Sequence, residues 1–224
     1  MAKNVKFSIH GACFDCETPF GKTELKLQLN GMFSVYNALA AITTGLAMGI
    51  DLTVIKAALE ETPSVAGRFE IVTKEPLVIV DYAHTPDGLE NVLKSAREIT
   101  PKDGNLICLF GCGGNRDCTK RPKMGKIAQQ LCDKIIITSD NPRTEEPASI
   151  TKQIEEGIKK TNGKYTVIVD RIEAIREAIK MADKKDIIVL AGKGHEPYQE
   201  INGVKYPFDE RIIVNSIING TKIK

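Results

Sequence analysis

Apolar and polar positions divide the chain into two regimes. From residue 68 onward, short apolar runs rich in branched residues, at 69–73, 77–81, 106–110, 134–138, 166–170 and 187–191, recur between longer mixed stretches. Several of these runs lack the in-out alternation of a half-exposed strand, the pattern of strands buried on both faces. The intervening stretches at 86–99, 120–132, 148–160, 171–182 and 209–219 carry helical spacing. Repeated strand-helix-strand units predict an α/β fold, with a mostly parallel sheet and helices on both faces. Near the end, Asn202-Gly203 separates apolar-polar stretches at 198–201 and 204–207, a strong hairpin signal.

The first regime is different. Stretches at 5–9, 12–17 and 23–29 read as strands, the last alternating through Leu25, Leu27 and Leu29, and Asn30-Gly31 closes a meander. An Ala-rich helix at 33–48 and a second at 51–60, capped by Asp51 or Thr53, follow. These pieces are too few for a large core, so residues 1–64 are expected to be the tail of a larger domain and 65–224 a domain of their own. The linker is placed at 62–67, where Pro63, Ser64 and Gly67 break regular structure. Gly21-Lys22-Thr23 matches the end of a phosphate-binding P-loop, but Cys16 stands where the first glycine is needed and no strand-to-helix context follows. A hairpin turn explains it better.

Composition changes this picture little. A formal net charge of +2 over 224 residues gives no footing for nucleic acid or an acidic membrane surface. With no run of about twenty apolar residues and no signal-like start, the expectation is a soluble cytoplasmic protein without membrane or nucleic-acid partners. Six cysteines are therefore expected to be free thiols. Cys13-Phe14-Asp15-Cys16 has the spacing of half a zinc site and no second pair, and no metal site is expected.

Candidate chemistry sits where strands end, because ligands of open α/β sheets bind outside the carboxyl ends of the strands. Four loops qualify. In Asp81-Tyr82-Ala83-His84-Thr85-Pro86-Asp87, Thr85 and Pro86 suit a helix start, whereas Asp81 and His84 are free for a ribose hydroxyl, a metal-bound water, a phosphate or a base, or His84 packs over the helix. In Gly111-Cys112-Gly113-Gly114-Asn115-Arg116-Asp117, the glycines are expected to let backbone amides approach an anion, with Arg116 as a clamp. Asp140-Asn141-Pro142-Arg143 offers a planar fork for a carboxylate or phosphate, or alternatively an Asx turn with a solvated arginine. Gly192-Lys193-Gly194-His195-Glu196 permits close backbone approach and places a carboxylate for an ammonium group. Two arginines, an asparagine and a glutamate on one rim suit a zwitterionic amino acid.

These loops, together with Leu29-Asn30-Gly31-Met32-Phe33-Ser34-Val35-Tyr36-Asn37-Ala38 and Gly67-Arg68-Phe69-Glu70, resemble the C-terminal part of the Mur ligases. The resemblance implies a Rossmann-like C-terminal domain preceded by the end of a central ATPase domain. It also implies an ATP-dependent amide ligase of peptidoglycan synthesis: ATP and Mg2+ activate a carboxylate of a UDP-MurNAc-dipeptide, and an incoming amine attacks the acyl phosphate. Carried over position by position, Asn37, Arg68, Asp81 and His84 would lie near the nucleotide. Arg116, Asp140, Asn141, Pro142, Arg143, Gly192 and Glu196 would bind the incoming amino acid. The Asp-Asn-Pro-Arg loop resembles that of members using meso-diaminopimelate, whose distal carboxylate gives Arg143 a partner that lysine lacks. Ser34 departs from the asparagine of many relatives, and the P-loop, the acidic magnesium ligands and the carbamylated lysine of the central domain have no counterpart here. No catalytic residue is therefore assigned, and the 224 residues alone are expected to be inactive. Alternatives are a lysine-adding or folylpolyglutamate-type ligase, or a non-catalytic module that binds an amino acid or nucleotide.

Overall fold

The computed structural model describes residues 1–158 and 165–222. The chain forms two compact units, Met1–Val65 and Ala66–Lys224.

In the first unit, β1 (Ala2–Ser8), β2 (Gly11–Thr18) and β3 (Gly21–Leu27) make an antiparallel meander, followed by α1 (Met32–Ala47) and α2 (Leu52–Glu61). Alternation decides which face is covered: Ala12, Phe14 and Cys16 on β2 and Leu25 and Leu27 on β3 are buried with Val35, Ala38 and Ile42 of α1 and Ile55 of α2. This is a small core of the unit's own. Asp51 starts α2 by accepting the Thr53 amide at 2.7 Å. Cys13 and Cys16 are three positions apart on one strand and so face opposite ways, which defeats joint metal ligation. Gly21 opens β3 at φ +138°, its carbonyl accepting the Thr18 hydroxyl at 2.9 Å, as a hairpin turn requires.

The second unit is built on a six-stranded sheet. Its strands are β4 (Glu70–Lys74), β5 (Leu77–Asp81), β6 (Leu106–Phe110), β7 (Lys134–Ile137), β8 (Tyr165–Val167) and β9 (Ile187–Ala191), in the spatial order β4-β5-β9-β6-β7-β8. Only β4 runs antiparallel, at the edge. All residues of β5, β6 and β9 are buried, which accounts for their unbroken apolar sequence. The alternate positions Val78, Val80, Ile107, Leu109, Ile188 and Leu190 pack with α6 (Arg171–Met181) and α7 (Glu210–Ile218). Helices α3 (Pro86–Ile99), α4 (Lys120–Leu131) and α5 (Pro147–Glu155) pack in sequence, α3 on α4 and α4 on α5, and α3 also meets β6 and β9. The hairpin of β10 (Tyr198–Ile201) and β11 (Val204–Pro207) turns through Asn202 at φ +50° and Gly203 at φ +78°.

Two predicted strands are displaced for identifiable reasons. The run at 69–73 begins one residue later, because Phe69 takes a left-handed φ of +46°. The run at 166–170 ends at Val167, since Asp170 caps α6 by accepting the amides of Ile172 and Glu173 at 2.8 and 3.0 Å. Helix α5 ends at Glu155, and residues 159 and 160 of the predicted helix lie outside the described residues. Among the described residues no helix is long and apolar enough to cross a membrane.

Candidate functional site

Strands β5, β9, β6 and β7 are parallel neighbours, so the four loops after Asp81, Ala191, Phe110 and Ile137 emerge along one rim. The loop after β7 is fastened at each step. Thr138 donates its amide to the Phe110 carbonyl at 3.0 Å and Ser139 to that of Val169 at 3.1 Å. The Asn141 carbonyl accepts the Gly114 amide at 2.9 Å. Arg143 sits in a left-handed conformation, φ +53°, that costs a non-glycine residue about 1–2 kcal/mol. Two backbone bonds to the β10–β11 hairpin hold it there: Arg143 donates to the Glu200 carbonyl at 3.1 Å, and Asn202 donates to the Arg143 carbonyl at 2.7 Å.

Asn141 is the centre of the side-chain network. It is 3% exposed. Its Nδ2 donates to Glu196 Oε2 at 2.8 Å, and its Oδ1 accepts Lys193 Nζ at 3.0 Å and the Glu200 amide at 2.9 Å. Lys193 has no exposed surface, and its ammonium lies 3.4 Å from Glu196 Oε2 and 5.6 Å from the Phe208 ring centre. Burial pushes its pKa below the usual lysine value, partly opposed by the charges of Asp140 and Glu196. Arg143 donates from Nε to Glu200 Oε2 at 3.1 Å and from Nη1 to the Gly114 carbonyl at 2.8 Å. Asp140 accepts its neighbour's amide at 2.6 Å and lies against Gly192, where a Cβ would meet Asp140 Oδ2 at 2.8 Å. Pro142 is buried, its carbonyl against Gly114.

The glycines after β6 serve a different purpose from the one their sequence suggests. A Cβ on Gly111 would lie 2.3 Å from the Thr138 carbonyl oxygen, and one on Gly114 only 1.9 Å from that of Pro142. They let this loop pack on the β7 loop, and the Gly114 amide is used on protein and not on an anion. A Cβ at Gly113 would be 3.1 Å from Arg143 Nη1 and 3.7 Å from Arg116 Cγ, so the two arginines flank that glycine. Arg116 itself is exposed, and among the described residues its guanidinium reaches only the Asn115 carbonyl at 3.3 Å.

A second cluster surrounds Tyr82. The Arg68 guanidinium lies 4.8 Å above its ring, and the rings of His84 and His195 are 4.7 and 5.3 Å away. Arg68 and His84 are exposed, and His84 Nδ1 sits 2.8 Å from the Tyr82 carbonyl. Asp81 is committed to the protein: its oxygens accept the amides of Phe69 at 2.7 Å and Ala83 at 2.8 Å, while burial raises its pKa. It shapes the loop that carries Tyr82 and His84. The two clusters meet at Gly194, where a Cβ would strike Tyr82 Cβ at 2.7 Å. Asn37 belongs to the first unit, exposed on α1.

Four supporting residues escape sequence reasoning. Arg171, the first residue of α6, is fully buried: it pairs with Glu210 at 2.8 Å and donates to the carbonyls of Ser139 at 3.2 Å and Ala191 at 3.0 Å, joining the ends of β7 and β9. Arg121 is 1% exposed and holds Glu145 through two bonds of 2.8 and 3.0 Å, besides the Gly113 carbonyl at 3.1 Å. In the sequence both look like surface cations at helix starts. Lys193 was legible only as a residue between glycines, and Glu200 as one of a hairpin. Among the described residues no group of three or more His, Cys, Asp or Glu side chains could hold a metal ion. The rim offers cationic donors beside the partly accessible carboxylates of Glu196 and Glu200, an arrangement able to recognise a ligand that bears both charges.

The chain has clear relatives among known proteins. Residues 67–194 match the family model described as "Mur ligase, glutamate ligase domain". The UDP-N-acetylmuramoyl-L-alanyl-D-glutamate--2,6-diaminopimelate ligase of Alkaliphilus metalliredigens is 50% identical over 94% of this chain and 42% of its own length. That of Bacillus velezensis is 46% identical over 97% of this chain and 44% of its own length. A solved structure of a ligase with the same name superposes with a TM-score of 0.72 at 39% identity, covering 98% of this chain and 45% of that one. The chain thus spans less than half the length of these relatives. With its sheet order, its rim of loops and the family match over the same residues, the chain belongs to the Mur ligase family.

Proposed function

We propose that this chain is the C-terminal part of an ATP-dependent amide ligase that adds meso-2,6-diaminopimelate to UDP-N-acetylmuramoyl-L-alanyl-D-glutamate in peptidoglycan synthesis. The observation that carries this is Asn141: one buried amide fixes the Glu196 carboxylate at 2.8 Å, and two residues further along the same loop stands the clamped fork of Arg143. A carboxylate and a guanidinium set on one rigid support match an amino acid end bearing both an ammonium and a carboxylate. Arg116 across Gly113 and the backbone of Gly192 complete the amino-acid side, while Asp140 and Pro142 shape its loop.

On the nucleotide side, Arg68 and His84 are the second unit's contacts, and Asp81 fixes the backbone beside each through the amides of Phe69 and Ala83. Asn37 is the first unit's candidate. Bound ATP with Mg2+ would supply carboxylate activation. Residues 1–64 are then the end of the central ATP-binding domain, and the P-loop and magnesium ligands lie in the remaining length of the relatives. We place the activity in the cytoplasm, with small-molecule partners only. The 224-residue polypeptide is expected to show no ATP-dependent tripeptide formation, and measurable turnover by the purified chain would refute this.

The role of Arg143 is tested in the full-length ligase. Arg143→Ala and Arg143→Lys should each raise the KM for meso-diaminopimelate by at least about tenfold, because losing a charge-assisted bond of about 1.5–3 kcal/mol costs a factor of that order and lysine cannot reproduce the fork. Unchanged use of meso-diaminopimelate by both variants would remove the assignment.

A further inference from the structure

We infer that Glu200, on β10, is a specificity-determining positioning residue that aims the Arg143 fork at the distal carboxylate of the incoming amino acid. This rests on the reading of Arg143 given above. Arg143 has five N–H donors. Two are used within the protein, Nε on Glu200 Oε2 at 3.1 Å and Nη1 on the Gly114 carbonyl at 2.8 Å, and Nη2 has no partner among the described residues. The guanidinium plane is therefore fixed at two points before any ligand arrives. Both side chains are about one-fifth to one-quarter exposed, at 21% and 24%.

Glu200 is free for this task. Its cross-strand neighbour Lys205 lies with its ammonium 4.1 Å over the Tyr198 ring, and Arg143 is the ion-pair partner of Glu200 among the described residues. Its backbone does a separate job: the Glu200 amide bonds to Asn141 Oδ1 at 2.9 Å, and its carbonyl accepts the Arg143 amide at 3.1 Å. Replacing the side chain leaves these backbone bonds in place, so the loop keeps its left-handed turn while the fork loses one of its two anchors. Arginine carries large rotamer entropy, and a fork released from Nε must be ordered by the ligand itself. A nearby carboxylate also neutralises part of the charge that attracts an anion. At this exposure that effect is screened, and pre-ordering outweighs it.

The experiment uses the full-length ligase with steady-state kinetics and thermal melting. Glu200→Ala should raise the KM for meso-diaminopimelate roughly three- to tenfold, with kcat, the KM values for ATP and the UDP-linked substrate, and the melting temperature near wild type. Glu200→Gln retains an acceptor for Nε and should recover most of the loss. Added to Arg143→Ala, Glu200→Ala should change nothing further, whereas a merely structural glutamate would worsen both backgrounds equally. Unchanged KM in Glu200→Ala beside a defective Arg143→Ala overturns this inference alone. A neutral Arg143→Ala overturns the underlying assignment as well.

Discussion

Lys193 shows how one residue can be invisible in the sequence and central in the fold. Between two glycines it has the composition of a mobile surface turn. In the structure the glycines serve contact: Gly192 at φ +120° lies against Asp140 and Gly194 at φ +54° against Tyr82, which draws the lysine inward until no surface remains. Its ammonium is held by Asn141 Oδ1 at 3.0 Å and Glu196 at 3.4 Å, with the charge of Asp140 acting in the same direction. Because burial lowers its folded pKa below 10.5, the unfolded chain binds the proton more tightly between that lowered value and 10.5. Stability contributed through this group therefore rises with pH across that window and is level below it. Melting temperatures measured through the alkaline range should show this upward contribution in the native protein and its loss in Lys193→Met. Parallel profiles for the two proteins would show that Lys193 does not titrate there.

At the level of elements, α6 and α7 do more than cover the sheet. Arg171 and Glu210 begin these two helices and form a fully buried pair, with Glu210 pushed toward its neutral form by burial and held back by the arginine. Through Ser139 and Ala191 the same guanidinium ties together the ends of β7 and β9, the strands that launch the two loops meeting at Asn141. Arg171→Met leaves Glu210 buried without its ion-pair partner, and should destabilise the second unit by about 3–5 kcal/mol, whereas adding Glu210→Leu should restore much of it. Urea unfolding of the two variants measures this, and a single variant as stable as wild type would contradict it. The elements themselves were readable because burial writes unbroken apolar runs at β5, β6 and β9. Their ends were less so: the Asp170 cap is a local bond that cuts into an apolar run, and the left-handed Phe69 is held by a tertiary bond from its amide to Asp81. The candidate site was legible in the same uneven way. Loops at strand ends could be found from the sequence. That Asn141 and Asp81 would spend their side chains on the protein could not, because their partners are 55 and 12 residues away.

For the molecule as a whole, the order β4-β5-β9-β6-β7-β8 places the last strand of the sheet in its middle. Its neighbours β5 and β6 share no bonds with each other; β5 is paired with β4 and β6 with β7, and the two pairs are brought into one sheet through Ile187–Ala191. On a ribosome this makes time a structural variable. More than half of the second unit emerges with its two sheet fragments unjoined, each with an apolar edge awaiting a partner, and loop-closure entropy over a long separation must be met before the sheet is continuous. The rim inherits that schedule: three of its four loops are already made before β9 inserts, and the strand that aligns them carries the fourth. Assembly of the recognition site and completion of the sheet are thus a single event.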